Sequence, residues 1–275
     1  MVNILYAIPL LWPLIFLLIP MLTTLGLSFL TRDSYGGLIY KFTLDNYVRA
    51  LDPLYLGIFF RSLSLAAITA ISCLIVAWPM AFAMTVAGPK WQKILFTLTI
   101  SPFLINFVVR IFSLKFFMGA HGPVVALLQM IGAMDESGYL TDNTMMVWAG
   151  MLINYLPFMV LPLFSSFSSF DFTLLDAAKD LGAGRRAMFM KVFFPLTKEG
   201  VYTGLMLVFM PALGEYVIPD MLGGSKSVLI GNVITEQFLK SRNWPFGSAL
   251  SSLLIFIIAL GIFLNARFKR REALT

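Results

Sequence analysis

The chain has 275 residues, of which 59% are hydrophobic and 12% charged, and its formal net charge is +6. Globular domains contain roughly 45–50% apolar and about 25% charged residues, so this composition excludes a soluble domain. Several apolar runs exceed the roughly 18 residues that cross a bilayer, which predicts an integral membrane protein. Charge asymmetry across a membrane explains the positive balance better than nucleic-acid binding does.

The apolar runs predict an all-α fold with six transmembrane helices in a single domain, 1–275. In chain order, the predicted spans are 4–30, 58–86, 94–112, 144–170, 200–219 and 246–266. A further apolar run at 123–131 is too short to span and is expected at the interface or against other helices. A long outer loop, 220–245, is predicted between the last two spans.

Lysine and arginine predict the orientation. With both termini in the cytoplasm, eleven of the 20 basic residues lie inside. They are concentrated in short loops and the C-terminal tail, where the positive-inside rule applies best. We therefore expect cytoplasmic N- and C-termini and a cytoplasmic loop at 171–196.

That loop is the longest charged segment of the chain. Thr173 and Asp176 have the spacing of a capping box at the start of a short helix. Gly182 and Gly184 are expected at positive φ, and Pro195 is expected to end a second helix. Small and apolar residues recur at helical spacing at Leu174, Ala177, Ala178 and Leu181. The pattern favours a helix that inserts into a partner's groove over a solvated loop that only sets topology.

The same residues resemble the coupling loop of bacterial ABC import permeases, whose pattern is E-A-A, three residues, G, nine residues, I-x-L-P. Here Asp replaces Glu, Val replaces Ile and Phe replaces Leu, while both alanines, the glycine and the proline are in register. The resemblance implies the six-helix type I ABC importer permease fold. It also implies contact with an ATPase through Asp176, Ala177, Ala178, Leu181, Gly182, Arg185 and Pro195.

Four further stretches resemble permease subunits of spermidine/putrescine importers. They are L-P-F-M-V-L-P-L at 156–163, E-Y-V-I-P-D-M-L-G-G at 215–224, L-I-G-N-V-I at 229–234 and N-W-P-F-G at 243–247. This resemblance implies a homologous second permease in a heterodimer, two copies of a cytoplasmic ATP-binding subunit and an extracytoplasmic polyamine-binding protein. It places the chain in the bacterial inner membrane as a multi-pass protein.

The sequence has few of the residues that enzymes use. It contains no G-x-x-x-x-G-K-[ST] motif, one histidine (His121) and one cysteine (Cys73). It therefore cannot bind ATP as a P-loop does, and it lacks the residues for a His-based triad or a Cys/His metal cluster. We expect a non-catalytic subunit without a cofactor or metal, with ATP and Mg²⁺ bound by the partner ATPase.

Glu215, Tyr216 and Asp220 are the candidate residues of a substrate pathway, because carboxylates beside an aromatic ring attract a cation. Ionisable residues within apolar spans are frequently functional. Three residues predict a bent or broken helix here: Pro211, Gly214 and Pro219. Two alternatives stay open: Glu215 pairs structurally with Arg110 or Lys115, and Asp220 is only the first residue of a loop. Arg110 itself is expected to extend towards the membrane surface.

The sequence leaves other functions open. The cargo of such a permease could be another amine or ferric iron, since the binding protein usually sets specificity in such systems. The chain could also be a secondary transporter or channel without an ATPase, although the Asp176 loop argues against this. Three outer basic residues are expected to contact a binding protein: Lys226, Lys240 and Arg242.

Overall fold

A computed structural model describes residues 2–33, 37–133, 135, 138, 140–224 and 227–272. The described helices are α1 Val2–Ser28, α2 Asp45–Ala50, α3 Pro53–Val86, α4 Pro89–Ile100, α5 Phe107–Met118, α6 Pro123–Met130, α7 Thr144–Ser168, α8 Thr173–Asp180, α9 Arg185–Met188, α10 Phe194–Leu213, α11 Val217–Leu222, α12 Ile230–Leu239 and α13 Trp244–Glu272. Two short strands, β1 Thr31–Arg32 and β2 Leu38–Ile39, pair in antiparallel register, with Thr31 opposite Ile39.

Six stretches are long and apolar enough to cross a membrane. They are Leu11–Ser28, Pro53–Val86, Phe107–Met130, Thr144–Ser168, Arg185–Leu213 and Trp244–Ile262. The prediction of an all-α membrane fold with six transmembrane helices is therefore confirmed. At 1.5 Å per residue, the 34 residues of α3 measure roughly 50 Å, which exceeds the hydrocarbon thickness of about 30 Å.

The third span differs from its prediction. The predicted range 94–112 crosses a break between α4 and α5 that contains a 3₁₀ turn, Ser101–Leu104. A new helix starts there because the Asn106 side chain accepts from the amides of Val108 and Val109, at 2.9 and 3.5 Å. The candidate span instead comprises α5 and α6, so the run at 123–131 belongs to it.

The fifth span and the loop after it also differ from their predictions. Instead of covering 200–219, α10 starts at Phe194 and ends at Leu213. The predicted loop 220–245 contains the end of α11 and all of α12. Helix α12 has ten residues, too few to span a bilayer, so a search for long apolar runs passes over it. Its Ile230 and Val233 are buried at helical spacing.

The helices form two compact units, one of residues 1–60 and 230–275 and one of residues 61–229. In the first unit, α1 and α2 both pack against α13. The Asn46 amide donates to the carbonyls of Ser28 and Leu30, both at 2.9 Å, and so ties α2 to the end of α1. The Arg49 guanidinium lies 4.3 Å from the ring centroid of Phe246.

In the second unit, the main helix pair is α7 and α10. Gly200 allows their close approach, because a Cβ at this position would lie 2.5 Å from the Cβ of Ser166 and 2.8 Å from the carbonyl oxygen of Pro162. The Trp148 indole donates to the Ser72 hydroxyl at 3.2 Å and links α7 to α3. Because α7 and α10 pack together, the two ends of the segment that connects them are held in place.

Candidate functional site: the coupling loop and the break after α10

Helix α8 is largely exposed, with only Leu175 and Ala178 half-buried. None of its eight residues is buried. Leu174 exposes 43% of its surface, and Leu181, which caps the helix, exposes 89%. The small side chains of Ala177 and Ala178 between them allow another protein to approach the helix closely. Exposed apolar side chains on a charged loop are typical of an interaction surface.

Gly182 produces the sharp turn after α8. Its φ is +83°. The Gly182 amide donates to the Lys179 carbonyl at 2.9 Å, and the Ala183 amide donates to the Ala178 carbonyl at 3.0 Å. These two bonds form a Schellman motif, whose left-handed residue is usually glycine. The prediction of positive φ is confirmed for Gly182 and wrong for Gly184, which is extended at φ −71° and caps α9.

The start of α8 differs from the predicted capping box. Asp171 Oδ1 accepts from the Thr173 amide at 3.0 Å and from the Thr173 hydroxyl at 2.8 Å. Asp171, rather than the pair of Thr173 and Asp176, therefore satisfies the first amide, as aspartates do in Asx turns. These hydrogen bonds lower the pKa of the Asp171 carboxyl. Their contribution to helix stability is present at neutral pH and is lost as the pH falls through that lowered pKa.

Substituting Asp171 with alanine should loosen the first turn of α8, because the Thr173 amide loses its acceptor. We expect several-fold faster hydrogen exchange of the amides at 173–175 in the purified protein, measured by mass spectrometry at neutral pH. Asp176→Ala is the matched control, since it removes a carboxylate of the same loop and leaves the Asp171 bonds intact. Faster exchange in Asp176→Ala alone would favour the capping box instead.

A cluster of aromatic rings joins the loop to the membrane helices. Its members come from α3, α7 and both sides of the loop: Trp78, Phe82, Phe167, Phe170, Phe172, Phe189, Phe193 and Phe194. The ring of Phe193 is central, with its centroid 5.1 Å from that of Phe167 and 4.9 Å from that of Phe170. The cluster therefore packs the segments on both sides of α8 against α3 and α7.

The second helix of the loop does not end at Pro195, and that prediction is wrong. A π-helical turn, Phe189–Phe193, leads from α9 directly into α10. A proline lacks the amide proton of an α-helix and its ring clashes with the carbonyl four residues earlier. The wider π turn before Pro195 relieves this conflict, and the proline lies in the first turn of α10. Sequence periodicity does not distinguish this continuous path from two separate helices.

The predicted ATPase-coupling residues therefore divide into two groups. Asp176, Ala177, Leu181 and Gly182 lie exposed on α8 and its cap, and Ala178 is half-buried. Arg185 starts α9 and Pro195 lies in the first turn of α10, and both are exposed. All of them lie on one continuous helix–turn–helix segment.

Glu215 lies in the break between α10 and α11. The residue is 7% exposed, and its Oε2 accepts from the Tyr155 hydroxyl at 2.5 Å. Its Oε1 accepts from the backbone amides of Tyr216, Val217 and Ile218, at 3.0, 2.8 and 3.3 Å. The carboxylate thus satisfies the amides at the start of α11 and connects the break to α7. The predicted break at this position is confirmed.

The three predicted pathway residues do not share one surface. Glu215 is buried, whereas Tyr216 is 46% exposed and Asp220 is exposed. The predicted alternative in which Glu215 pairs with Arg110 or Lys115 is not observed, because its carboxylate bonds Tyr155 and the backbone. Arg110 does not extend fully to the surface either, since its Nε and Nη1 are buried.

Sequence reasoning missed Tyr155 and the aromatic cluster. Tyr155 lies 60 residues before Glu215 in the chain, and no motif connects them. Two outer basic residues expected at a partner surface, Lys240 and Arg242, are exposed, while Lys226 lies outside the described residues.

The structure combines six apolar helices, a capped helix exposed between the fourth and fifth of them, and a broken helix after the fifth. This combination defines a multi-pass transport permease. A family model described as "Binding-protein-dependent transport system inner membrane component" matches residues 74–273. The chain belongs to this family and is therefore a multi-pass inner-membrane protein. Because the family is the membrane component of its transport systems, the prediction of a non-catalytic subunit is confirmed.

Two relatives match nearly the whole chain. The spermidine/putrescine transport system permease protein PotB of Haemophilus influenzae is 41% identical over 256 residues, which cover 93% of this chain and 90% of that protein. Its Escherichia coli counterpart is 39% identical over 259 residues, which cover 94% of each chain.

Two crystal structures of bacterial alginate ABC transporters have the same fold. Their TM-scores are 0.79 and 0.77, at 17% and 18% identity, and each covers 98% of this chain and 95% or 94% of its own. The second was solved in complex with a periplasmic protein bound to an alginate pentasaccharide. At this identity the likeness concerns the fold alone.

Proposed function

We propose that this chain is one permease subunit of an ATP-driven importer of polyamines, spermidine and putrescine among them. The permease role rests on the exposed α8 with its Schellman turn at Gly182, which presents a rigid docking element. The cargo is proposed from the two PotB relatives, which are 41% and 39% identical over more than nine-tenths of the chain.

The proposed assembly has three kinds of partner. A homologous second permease completes a heterodimer, two copies of a cytoplasmic ATP-binding subunit hold ATP and Mg²⁺, and an extracytoplasmic polyamine-binding protein delivers the cargo. The family description supports dependence on a binding protein. Exposed Lys240 and Arg242 offer positive charge for that contact. Both termini and the 171–196 loop would face the cytoplasm.

We propose that closure of the ATPase dimer displaces α8 and that the aromatic cluster passes this motion to the spans. Helix α10 links the two regions, because it starts at the π turn and ends at the Glu215 break. Its 20 residues measure about 30 Å, which is close to the thickness of the bilayer core. A rigid helix of this length can couple ATPase contact at one end to pathway opening at the other.

In this proposal Glu215, Tyr216 and Asp220 serve the pathway in different ways. Tyr216 and Asp220 are exposed and can meet a cationic amine, the ring through its face and the carboxylate through charge. Glu215 holds the break that presents them, through its bonds to Tyr155 and the α11 amides.

Uptake of labelled spermidine and putrescine tests the cargo in cells that lack their own polyamine importers and express this chain with its genomic neighbours. We expect energy-dependent uptake by the wild type. Asp220→Asn should reduce it at unchanged abundance, because the carboxylate charge is lost. Glu215→Gln should retain more uptake than Asp220→Asn, because an amide oxygen still accepts from the α11 amides.

The opposite order of the two variants would instead assign the charge in the pathway to Glu215. If no polyamine enters while the assembled complex hydrolyses ATP, the permease role stands and the cargo is wrong. Ferric iron and other amines are then the next cargoes to assay, since the same fold serves alginate in other transporters. Uptake that persists after the partner ATPase is inactivated would indicate a secondary transporter.

A further inference from the structure

An apolar groove lies between α3 and the segment that leads from α9 into α10. Its volume is about 410 Å³, within the range of about 300–1,000 Å³ that is typical of ligand pockets. The described residues that line it are all uncharged and include Ile75, Trp78, Pro79, Phe189, Met190 and Phe194. Both sides belong to candidate membrane spans, Pro53–Val86 and Arg185–Leu213. The groove therefore belongs to the membrane-spanning part of the chain.

The groove is open on its outer side and lies close to one membrane surface. Ile75 exposes 67% of its surface, Met190 55% and Phe189 41%. Met190 is five residues, or about 8 Å along a helix axis, from Arg185, where its span begins. Apolar side chains that are this exposed within a span face hydrocarbon, and near the surface of the bilayer that hydrocarbon carries a headgroup.

Positive charge lies at the end of the groove nearest the 171–196 loop. Arg186 precedes Met190 by four residues, so it lies about one helical turn from the groove on the same side of the segment. Arg186 and Lys191 are both exposed. From Arg185 to Pro195 the chain carries three basic residues and no acidic one. Arginine and lysine pack their aliphatic stems along apolar surface while their charged groups reach the headgroup region.

The combination of groove and charge matches the two parts of an anionic phospholipid, which are a hydrocarbon chain and a phosphate. Basic pockets between membrane helices bind such headgroups. An apolar helix of another subunit would cover the groove but leave Arg186 and Lys191 without a counter-charge. The observations therefore favour a lipid over a protein helix as the occupant.

We propose that this groove binds the acyl chain of an anionic phospholipid, whose phosphate lies against Arg186 and Lys191. The inference goes beyond the proposed function and does not depend on the cargo, because it uses only the two membrane spans and their charges. Trp78, Phe189 and Phe194 belong both to the groove and to the aromatic cluster. The bound chain therefore also contacts the segment that joins the 171–196 loop to α10.

Photolabelling tests the groove in the chain purified with its partner subunits and placed in vesicles of unlabelled phosphatidylcholine. The two probes are phosphatidylglycerol and phosphatidylcholine, each with a photoreactive group on the acyl chain and each added as a minor component. Mass spectrometry of the digested chain then locates the label. We expect phosphatidylglycerol to label 74–79 and 189–194 about fivefold more strongly than phosphatidylcholine, which is the effect of one basic residue near an anionic surface.

A charge variant tests the headgroup contact. Replacing both Arg186 and Lys191 with glutamine should remove the preference for phosphatidylglycerol and leave labelling by phosphatidylcholine unchanged. The matched control replaces Lys90 and Lys93 with glutamine, because both are exposed at the start of α4 and neither is next to the groove in the chain. The control should keep the preference.

Ile75→Trp tests the groove independently of charge, since the larger ring fills it and should reduce labelling of 189–194 by both probes. Ile68→Trp is the matched control, because Ile68 is 52% exposed on the same helix and does not line the groove. Equal labelling of the wild type by both probes, or an unchanged preference in the charge variant, would overturn the proposal. Absence of label at 74–79 and 189–194 from both probes would show that a subunit covers the groove instead, which also overturns it.

Discussion

Gly182→Val should strongly reduce uptake while the protein remains in the membrane at normal abundance. The Schellman turn holds Gly182 at φ +83°, and a Cβ added there would meet no atom of the surrounding chain within 4 Å. The obstacle is therefore the backbone conformation and not a clash. Left-handed backbone costs an ordinary L-residue roughly 1–2 kcal/mol, and a β-branched residue is a stronger outlier.

The expected consequence is a loss of docking geometry. A penalty of this size lowers the equilibrium constant for the correctly oriented α8 by about tenfold or more, since about 1.4 kcal/mol corresponds to a factor of ten. ATP hydrolysis by the complex should become independent of the loaded binding protein, and uptake should fall accordingly. The measurements are labelled uptake, ATP hydrolysis and membrane abundance in the same preparations.

Gly184→Val is the matched control, because Gly184 is extended at φ −71° and has the same open surroundings. It should retain uptake close to that of the wild type. Equal loss in both variants would show that the loop tolerates no added side chain, and the φ-based explanation would be rejected. Wild-type uptake in Gly182→Val would contradict the docking role of α8.

Glu215→Ala should destabilise the assembled permease by about 2–5 kcal/mol, because it leaves the Tyr155 hydroxyl and the α11 amides without their acceptor. Loss of the carboxylate removes four hydrogen bonds in one substitution. The measurement is the thermal unfolding midpoint of the purified complex in detergent, together with its abundance in membranes.

Tyr155→Phe separates the two halves of this network. It removes the bond to Oε2 and leaves the three amide bonds to Oε1, so we expect a smaller loss of about 1–2 kcal/mol. If Tyr155→Phe and Glu215→Ala are equally destabilised, the amide bonds contribute nothing and the break is held by other contacts. If neither is destabilised, Glu215 does not have the structural role described above.

The two ends of α10 illustrate why local patterns predicted some features and missed others. The glycine turn at 182 was predictable because only a residue without a side chain easily adopts a left-handed turn after an alanine-containing helix. The path through Pro195 was not, because the π turn that accommodates the proline is stabilised by Phe189 and Phe193 packing on Trp78, more than 100 residues earlier in the chain.

The same distinction applies to charge. Sequence reasoning located Glu215 and the helix break around it, since glycine and proline flank a carboxylate in an apolar stretch. It assigned the carboxylate to a cation pathway or to Arg110 or Lys115. The actual partners are the next three amides, which are local, and Tyr155, which only the packing of α7 brings near.

By itself, the sequence determined that this protein has six membrane-spanning helices and that a short helix in the 171–196 loop ends in a left-handed turn at Gly182. These features follow from the length of the apolar runs and from local turn chemistry. Neither depends on contacts between distant parts of the chain. The tertiary structure alone decided how the chain passes Pro195 into the fifth span and which distant side chains, such as Tyr155 and Glu215, face one another. Those outcomes depend on contacts between residues far apart in the chain, whose energies are set by the packed geometry.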